Sequence, residues 1–245
     1  MNYNRLLVLV KGELSRLNKY NIFSISVLIA IIWGLVLFFV NATIFNAILP
    51  ILLLIDATLM SIIYIGSVMF FEKSESTIST MLVTPSTNRE LILSKVLANS
   101  IHNTFSSLLI IIVFIFIRDV QLNYFLIFIG ITLTTIFHTI LGFYMAYYQK
   151  SFTEMLMNVM IFSFILMIPN ILYQLNVFTN KWIEYLMLLN PIQAGTEVIG
   201  GGFKIYVFTW KYYFSLGYLI IGSILAYYYL VLPRFKEYSI KQSGV

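Results

Sequence analysis

The chain has 245 residues, 60% of them hydrophobic and 10% charged, with a mean hydropathy of +0.91. These values lie far from the composition of water-soluble domains and leave little chain for a soluble unit once spans of about 20 apolar residues are laid out. The net charge of +5 reads here as an orientation signal before nucleic-acid affinity, and the absence of cysteine excludes disulfides, thiol chemistry and cysteine-ligated metals.

Residues 3–19 are predicted as an amphipathic helix. Tyr3, Leu6, Leu7, Val10, Leu14 and Leu17 recur at three- and four-residue intervals, with Arg5, Arg16 and Lys19 elsewhere. Such a helix suits a membrane interface, where basic side chains meet anionic headgroups; an ordinary solvated N-terminal helix is the alternative. The apolar run that follows is of full span length, so residues 1–21 read as retained and not as a cleavable signal.

Six spans are expected. They cover roughly Ile22–Val40, Ala47–Phe71 (carrying Pro50 and Asp56), Val96–Ile117, Tyr124–Tyr147, Met155–Leu175 and Trp210–Leu232. Ser151 and Glu154 have capping-box spacing ahead of the fifth span, and Pro169 predicts a kink in its second half. Residues 176–208 hold Asn190-Pro191, Gly195 and Gly200-Gly201-Gly202, with apolar pieces too short to cross. They read as a re-entrant hairpin of two half-buried segments, or else as a surface loop. A basic tail with Arg234, Lys236 and Lys241 closes the chain. With six spans and the N-terminus inside, eleven of the 15 Lys and Arg fall on the inner side. Only Arg118, Lys181, Lys204 and Lys211 fall outside. The bias places both termini in the cytoplasm, residues 72–95 on the same side and residues 176–208 outside.

The 72–95 connector has its own pattern. Glu72 and Glu75 follow directly on the second span, where a helix C-terminus disfavours carboxylates unless a new helix starts behind them. Ser74, Ser76 and Thr77 supply capping oxygens for such a start. The new helix is predicted over about Ile78–Val83, because Thr84 precedes Pro85 and leaves helical geometry. Ile78, Met81 and Leu82 form its apolar edge. Thr87 and Glu90 then have capping-box spacing for the third span.

Phe71-Glu72-Lys73, Ser76-Thr77-Ile78, Leu82-Val83-Thr84-Pro85, Arg89-Glu90 and Ser94-Lys95 together resemble the hallmark of permease subunits of type-2 ABC exporters. The interface helix, six spans and Asn190-Pro191 before the last span match the same layout. Ser76 stands where glycine is usual, and Ser86 where an apolar residue is common. Ile55-Asp56-Ala57-Thr58 and Ile65-Gly66 are similar to a small-drug, fluoroquinolone-exporting branch. The resemblance implies a single all-α permease domain over residues 1–245 of a bacterial cytoplasmic membrane, paired with a second permease copy. It also implies two cytoplasmic ATPase subunits that carry ATP and Mg, the chain itself binding no cofactor and no nucleic acid. Glu72, Glu75, Ile78, Met81, Leu82, Thr84 and Pro85 become the expected ATPase-coupling residues. Gly200–Lys204 lacks phosphate-loop spacing, so the motor must be another chain.

Three polar intramembrane residues are candidates for a substrate path: Asp56, Thr135 and His138. A carboxyl within a span is costly and faces either a hydrogen-bonded structural site or a cavity. His138, near Thr134, Thr135 and Thr139, reads as an interhelical hydrogen-bonding group ahead of a proton relay. His102, among Asn99, Ser100 and Asn103, reads as polar surface, and Tyr227-Tyr228-Tyr229 as interfacial ballast. Small residues four apart, as at Gly142/Ala146, permit close helix approach. Of rival functions, an intramembrane enzyme lacks any HExxH, paired-Asp or Ser/His constellation. An ion-coupled secondary transporter rests on one Asp and one His, and a non-transporting partner or immunity protein leaves the 72–95 pattern unused.

Overall fold

The computed structural model describes residues 2–242 except Val40, Asn41, Ser76, Val83, Arg118, Asn176, Thr179, Lys204 and Ile205. The chain is helical throughout, as composition and periodicity predict, with a single antiparallel bridge between Leu122 and Phe203 among the described residues. Five helices are long and apolar enough to cross a membrane. A sixth span results if α1 (Tyr3–Lys19) and α2 (Ile22–Phe38), which meet at 61°, count as one. The bend falls at Tyr20-Asn21, where Asn21 adopts a left-handed φ of 59° that Asn tolerates better than most residues.

The second span is built from α3 (Ala42–Ile55) and α4 (Ser61–Ser74), joined by a π turn over Asp56–Met60. Then come α5 (Thr77–Leu82), α6 (Asn88–Ile117), α7 (Tyr124–Ala146) and α8 (Phe152–Gln174). Two short helices, α9 (Lys181–Met187) and α10 (Pro191–Gly200), precede α11 (Trp210–Ala226). A second π turn over Tyr227–Val231 joins α11 to α12 (Leu232–Gln242). Three expected boundaries shift. The third helix begins eight residues before Val96, because the Thr87–Glu90 cap starts it at the connector. The tail after Leu232 continues as helix and does not end the span. The connector helix runs from Thr77 to Leu82, while Val83 lies outside the described residues.

α7 is the hub, packing against α4, α6, α10 and α11. Its small residues allow this: a Cβ on Gly142 would sit 2.8 Å from the Ile62 Cα of α4. On α10, a Cβ at Gly195 would meet Thr134 of α7 at 2.9 Å. One apolar core, around Leu53, Phe114, Ile131 and Ile192, lies at the α10 end. Another, around Met69, Ile92, Phe143 and Phe235, lies at the α12 end. α1 does not lie free. Leu6, Val10 and Leu17 are buried against Tyr64, Val68 and Ala98, while Tyr3 and Leu7 stay exposed. With Leu14 also packed there, four of the six residues of the predicted apolar stripe serve packing within the chain.

Candidate functional site

The connector begins where α4 ends on a buried ionic knot. Glu72 is 0% exposed and offers one carboxylate oxygen to both Arg16 of α1 and Lys95 of α6. Glu13 of α1 closes the ring, with Lys95 at 2.8 Å and Arg16 at 3.1 Å. Two carboxylates and two cations thus balance in charge, which makes their burial tolerable. The expected reason for Glu72, favouring a new helix behind it, is replaced by this pairing. Glu75 stays at the surface and accepts from the Tyr20 hydroxyl at 2.9 Å. Partial burial, then the Glu75 carboxylate, raise the Tyr20 phenol above its ordinary range.

Capping at this break also differs from expectation. The Ser74 hydroxyl donates to the Phe71 carbonyl and that of Thr77 to the Glu72 carbonyl. Both therefore close the C-terminus of α4, whose last carbonyls lack helical partners, and neither bond caps the start of α5. Ser76 lies outside the described residues. On α5, Met81 is half-buried against the core containing Phe235 and Tyr238, so this edge faces α12. The Ile78 and Leu82 side chains lie outside the described residues. Thr84 donates through its hydroxyl to the Met81 carbonyl at 2.6 Å and ends α5. The Pro85 carbonyl accepts from the Arg5 guanidinium. Beyond it the capping box is reciprocal: Glu90 N–H donates to Thr87 Oγ1 at 3.3 Å, and Thr87 N–H to Glu90 Oε2 at 3.0 Å. The other Glu90 oxygen takes the Asn2 N–H at 2.9 Å. Thr80, Thr84, Pro85 and Glu75 remain exposed on a segment fastened to α1 at both ends.

A second polar site occupies the middle of the second span. Asp56 is 2% exposed and opens the first π turn. Its carboxyl meets the Ser106 and Ser107 hydroxyls of α6 at 3.2 and 2.5 Å. A π turn displaces backbone carbonyls from the regular ladder, and α6 supplies donors for them. Asn103 Nδ2 donates to the Asp56 carbonyl and the Ser61 hydroxyl; Asn99 Nδ2 donates to the Ser61 carbonyl and to Thr139 Oγ1 of α7. Asn99, Asn103, Ser106 and Ser107 are spaced for one helical face. The three path candidates do not converge, since among the described residues no hydrogen bond links Asp56 to Thr135 or His138. Thr135 donates to its own helix at Thr132, and His138 Nδ1 pairs within α7 with the Thr134 carbonyl. The interhelical bond expected of His138 is made by Thr139 instead. His102 is buried, not surface: its Nε2 lies 3.2 Å from Ser26 Oγ of α2, and its ring packs edge-on to Phe23 and Tyr64.

At the opposite end, Asn190 caps α10 by accepting from Ile192 N–H, and Pro191 occupies the first turn. The Asn190 side chain also donates to the Leu166 carbonyl of α8 at 2.7 Å. A cluster not singled out from the sequence lies beside it. Gln193 Oε1 accepts from Asn170 and Gln174 of α8, and Gln193 Nε2 donates to Glu197, which also accepts from Tyr206. The available signal was a pair of polar i,i+4 steps, 170/174 and 193/197, in otherwise apolar helices.

Compared with known proteins, residues 4–243 match the profile of the fluoroquinolones export permease protein family. No curated protein matches the chain.

Proposed function

The chain belongs to the fluoroquinolones export permease protein family, and from that premise we propose that it is the membrane-spanning subunit of an ATP-driven exporter for small amphiphilic molecules of the fluoroquinolone class. It is a membrane export permease; the motor, in this reading, is a pair of cytoplasmic ABC ATPase subunits holding ATP and Mg, working on two permease copies in a bacterial cytoplasmic membrane. Both termini and the 72–95 connector face the cytoplasm. α5 is the coupling helix, and residues 176–208 form the external re-entrant hairpin opened by Asn190 and Pro191.

The observation that carries this reading is the mounting of the connector. Thr80, Thr84 and Pro85 are exposed, while the segment is tied to α1, α4, α6 and α12 through Glu72, Arg5, Glu90 and Met81. A push on Glu75, Thr84 or Pro85 therefore reaches three long helices through buried ion pairs and packing, which transmit displacement because their arrangements are discrete. Ile78, Met81 and Leu82 are assigned the same coupling role from the sequence pattern. Asp56, Thr135 and His138 are assigned to the path, with Asp56 at a π turn, a backbone irregularity frequent at functional sites.

Co-purification tests the motor. An ATPase subunit is expected to be retained by the wild-type permease and lost when Thr84-Pro85 is changed to Ala-Ala with the fold intact by circular dichroism. Drug efflux that continues in cells lacking every candidate ATPase gene would overturn the proposal.

A further inference from the structure

Between α6, α7 and the second π turn lies a cavity of about 780 Å³ that the export reading does not use. Its volume falls within the range of about 300–1,000 Å³ typical of small-molecule sites. The walls are apolar, with Leu93, Val96, Ile136, Ile140 and Ile224 among the lining residues. A second cavity of about 230 Å³ shares Leu97 and Ile136 with it and continues along α6 toward Phe128.

Thr87, Asn88, Arg89, Ser223, Tyr227 and Tyr228 supply the polar part of the lining. Arg89 is the charged residue among those described on the lining; it is exposed and forms no ion pair or hydrogen bond among the described residues. Its neighbour Glu90 is engaged by Asn2 and Thr87, so it does not neutralise Arg89. Tyr227, which also lines the cavity, is 7% exposed and its buried hydroxyl has no partner. Arg89 and Tyr227 line the same cavity. An exposed cation with no ion pair among the described residues thus lines a long apolar slot. From Arg89 to Leu97 the slot follows α6 for about 12 Å at helical rise.

We propose that this groove is a binding site for an anionic phospholipid of the leaflet that meets the 72–95 connector. That leaflet is the cytoplasmic one in the orientation proposed above. The headgroup phosphate takes Arg89, and an acyl chain lies against Leu93, Val96 and Ile140. Charge complementarity selects this occupant: a basic group at the mouth of a pocket between helices favours an acidic headgroup. The site touches α6 immediately behind its cap, so its occupancy bears on the helix that leaves the connector.

Tyr228→Trp, in a background with Trp33, Trp182 and Trp210 changed to Phe, places one fluorescent reporter on the lining. The permease is reconstituted alone, so the result is independent of whether any ATPase binds. Brominated-chain phosphatidylglycerol diluted into phosphatidylcholine vesicles is expected to quench this Trp with about five-fold preference over brominated phosphatidylcholine, the effect of one basic group near the surface. Arg89→Gln should bring the ratio close to one and Arg89→Lys should keep most of it. Equal quenching by both lipids, or a preference unchanged in Arg89→Gln, would mean ordinary surrounding lipid and would overturn the site. Release of the quench by a fluoroquinolone would assign the groove to cargo, also against the proposal.

Discussion

Glu72 shows how a single carboxylate can hold three helices. It shares its oxygen between Arg16 and Lys95, and Glu13 balances the second positive charge. Removing one partner strands the others in a buried site, which typically costs about 3–5 kcal/mol, whereas removing opposite charges together costs less. Lys95→Met is therefore expected to lower the unfolding midpoint in detergent sharply. Lys95→Met combined with Glu13→Gln should recover a measurable part of that loss. Strict additivity of the two changes would show that the ions do not act as one unit. His102 carries a related lesson. Its neighbours Asn99, Ser100 and Asn103 made it look like a polar surface in the sequence, yet the whole group faces inward. One-dimensional polarity does not distinguish a face toward water from a face toward a π turn that needs donors.

Among the elements, the connector was the most legible. Its start and stop signals are local: the pre-proline restriction at Thr84 and the Thr87–Glu90 box act within a few residues, and both are found where spacing put them. Thr87→Ala is expected to destabilise the start of α6 by about 1 kcal/mol. Glu90→Ala should cost more, since it also frees the Asn2 N–H. Hydrogen exchange of the amides of residues 87–91 would report both, and protection unchanged from the wild type in either variant would contradict the reciprocal box. The roles of Ser74 and Thr77 were less legible, because a hydroxyl between two helices can serve either one. Tertiary placement decided for α4. The two π turns left no trace in the hydropathy pattern, since one extra residue in a turn barely alters an apolar run. Only α6, facing the first with amide and hydroxyl donors, and Tyr147, whose hydroxyl donates to the Val231 carbonyl of the second at 3.0 Å, reveal them.

At the scale of the whole molecule, α1, α5 and α12 gather at one end and α9–α10 lie toward the other. α1 and α12 therefore both meet the 72–95 connector. Because the chain has no cysteine, single-cysteine labelling tests the orientation directly. Thr80→Cys should react with an impermeant maleimide only in opened cells, and Trp182→Cys in intact ones. The reverse pattern would invert the topology.

The connector from Phe71 to Lys95 was visible in the sequence as helix, break, short helix, break, helix, and the all-helical membrane character and the family were visible with it. Span length, dipole, capping and proline restriction are properties of consecutive residues, so the sequence alone determines them. That Glu72 is buried in an ionic ring, that Asp56 opens a π turn, that Thr135 and His138 turn back on their own helix, and that Arg89 guards an apolar groove were decided by tertiary structure. Each depends on which face of a helix meets which neighbour, and long-range packing around α7 sets that choice.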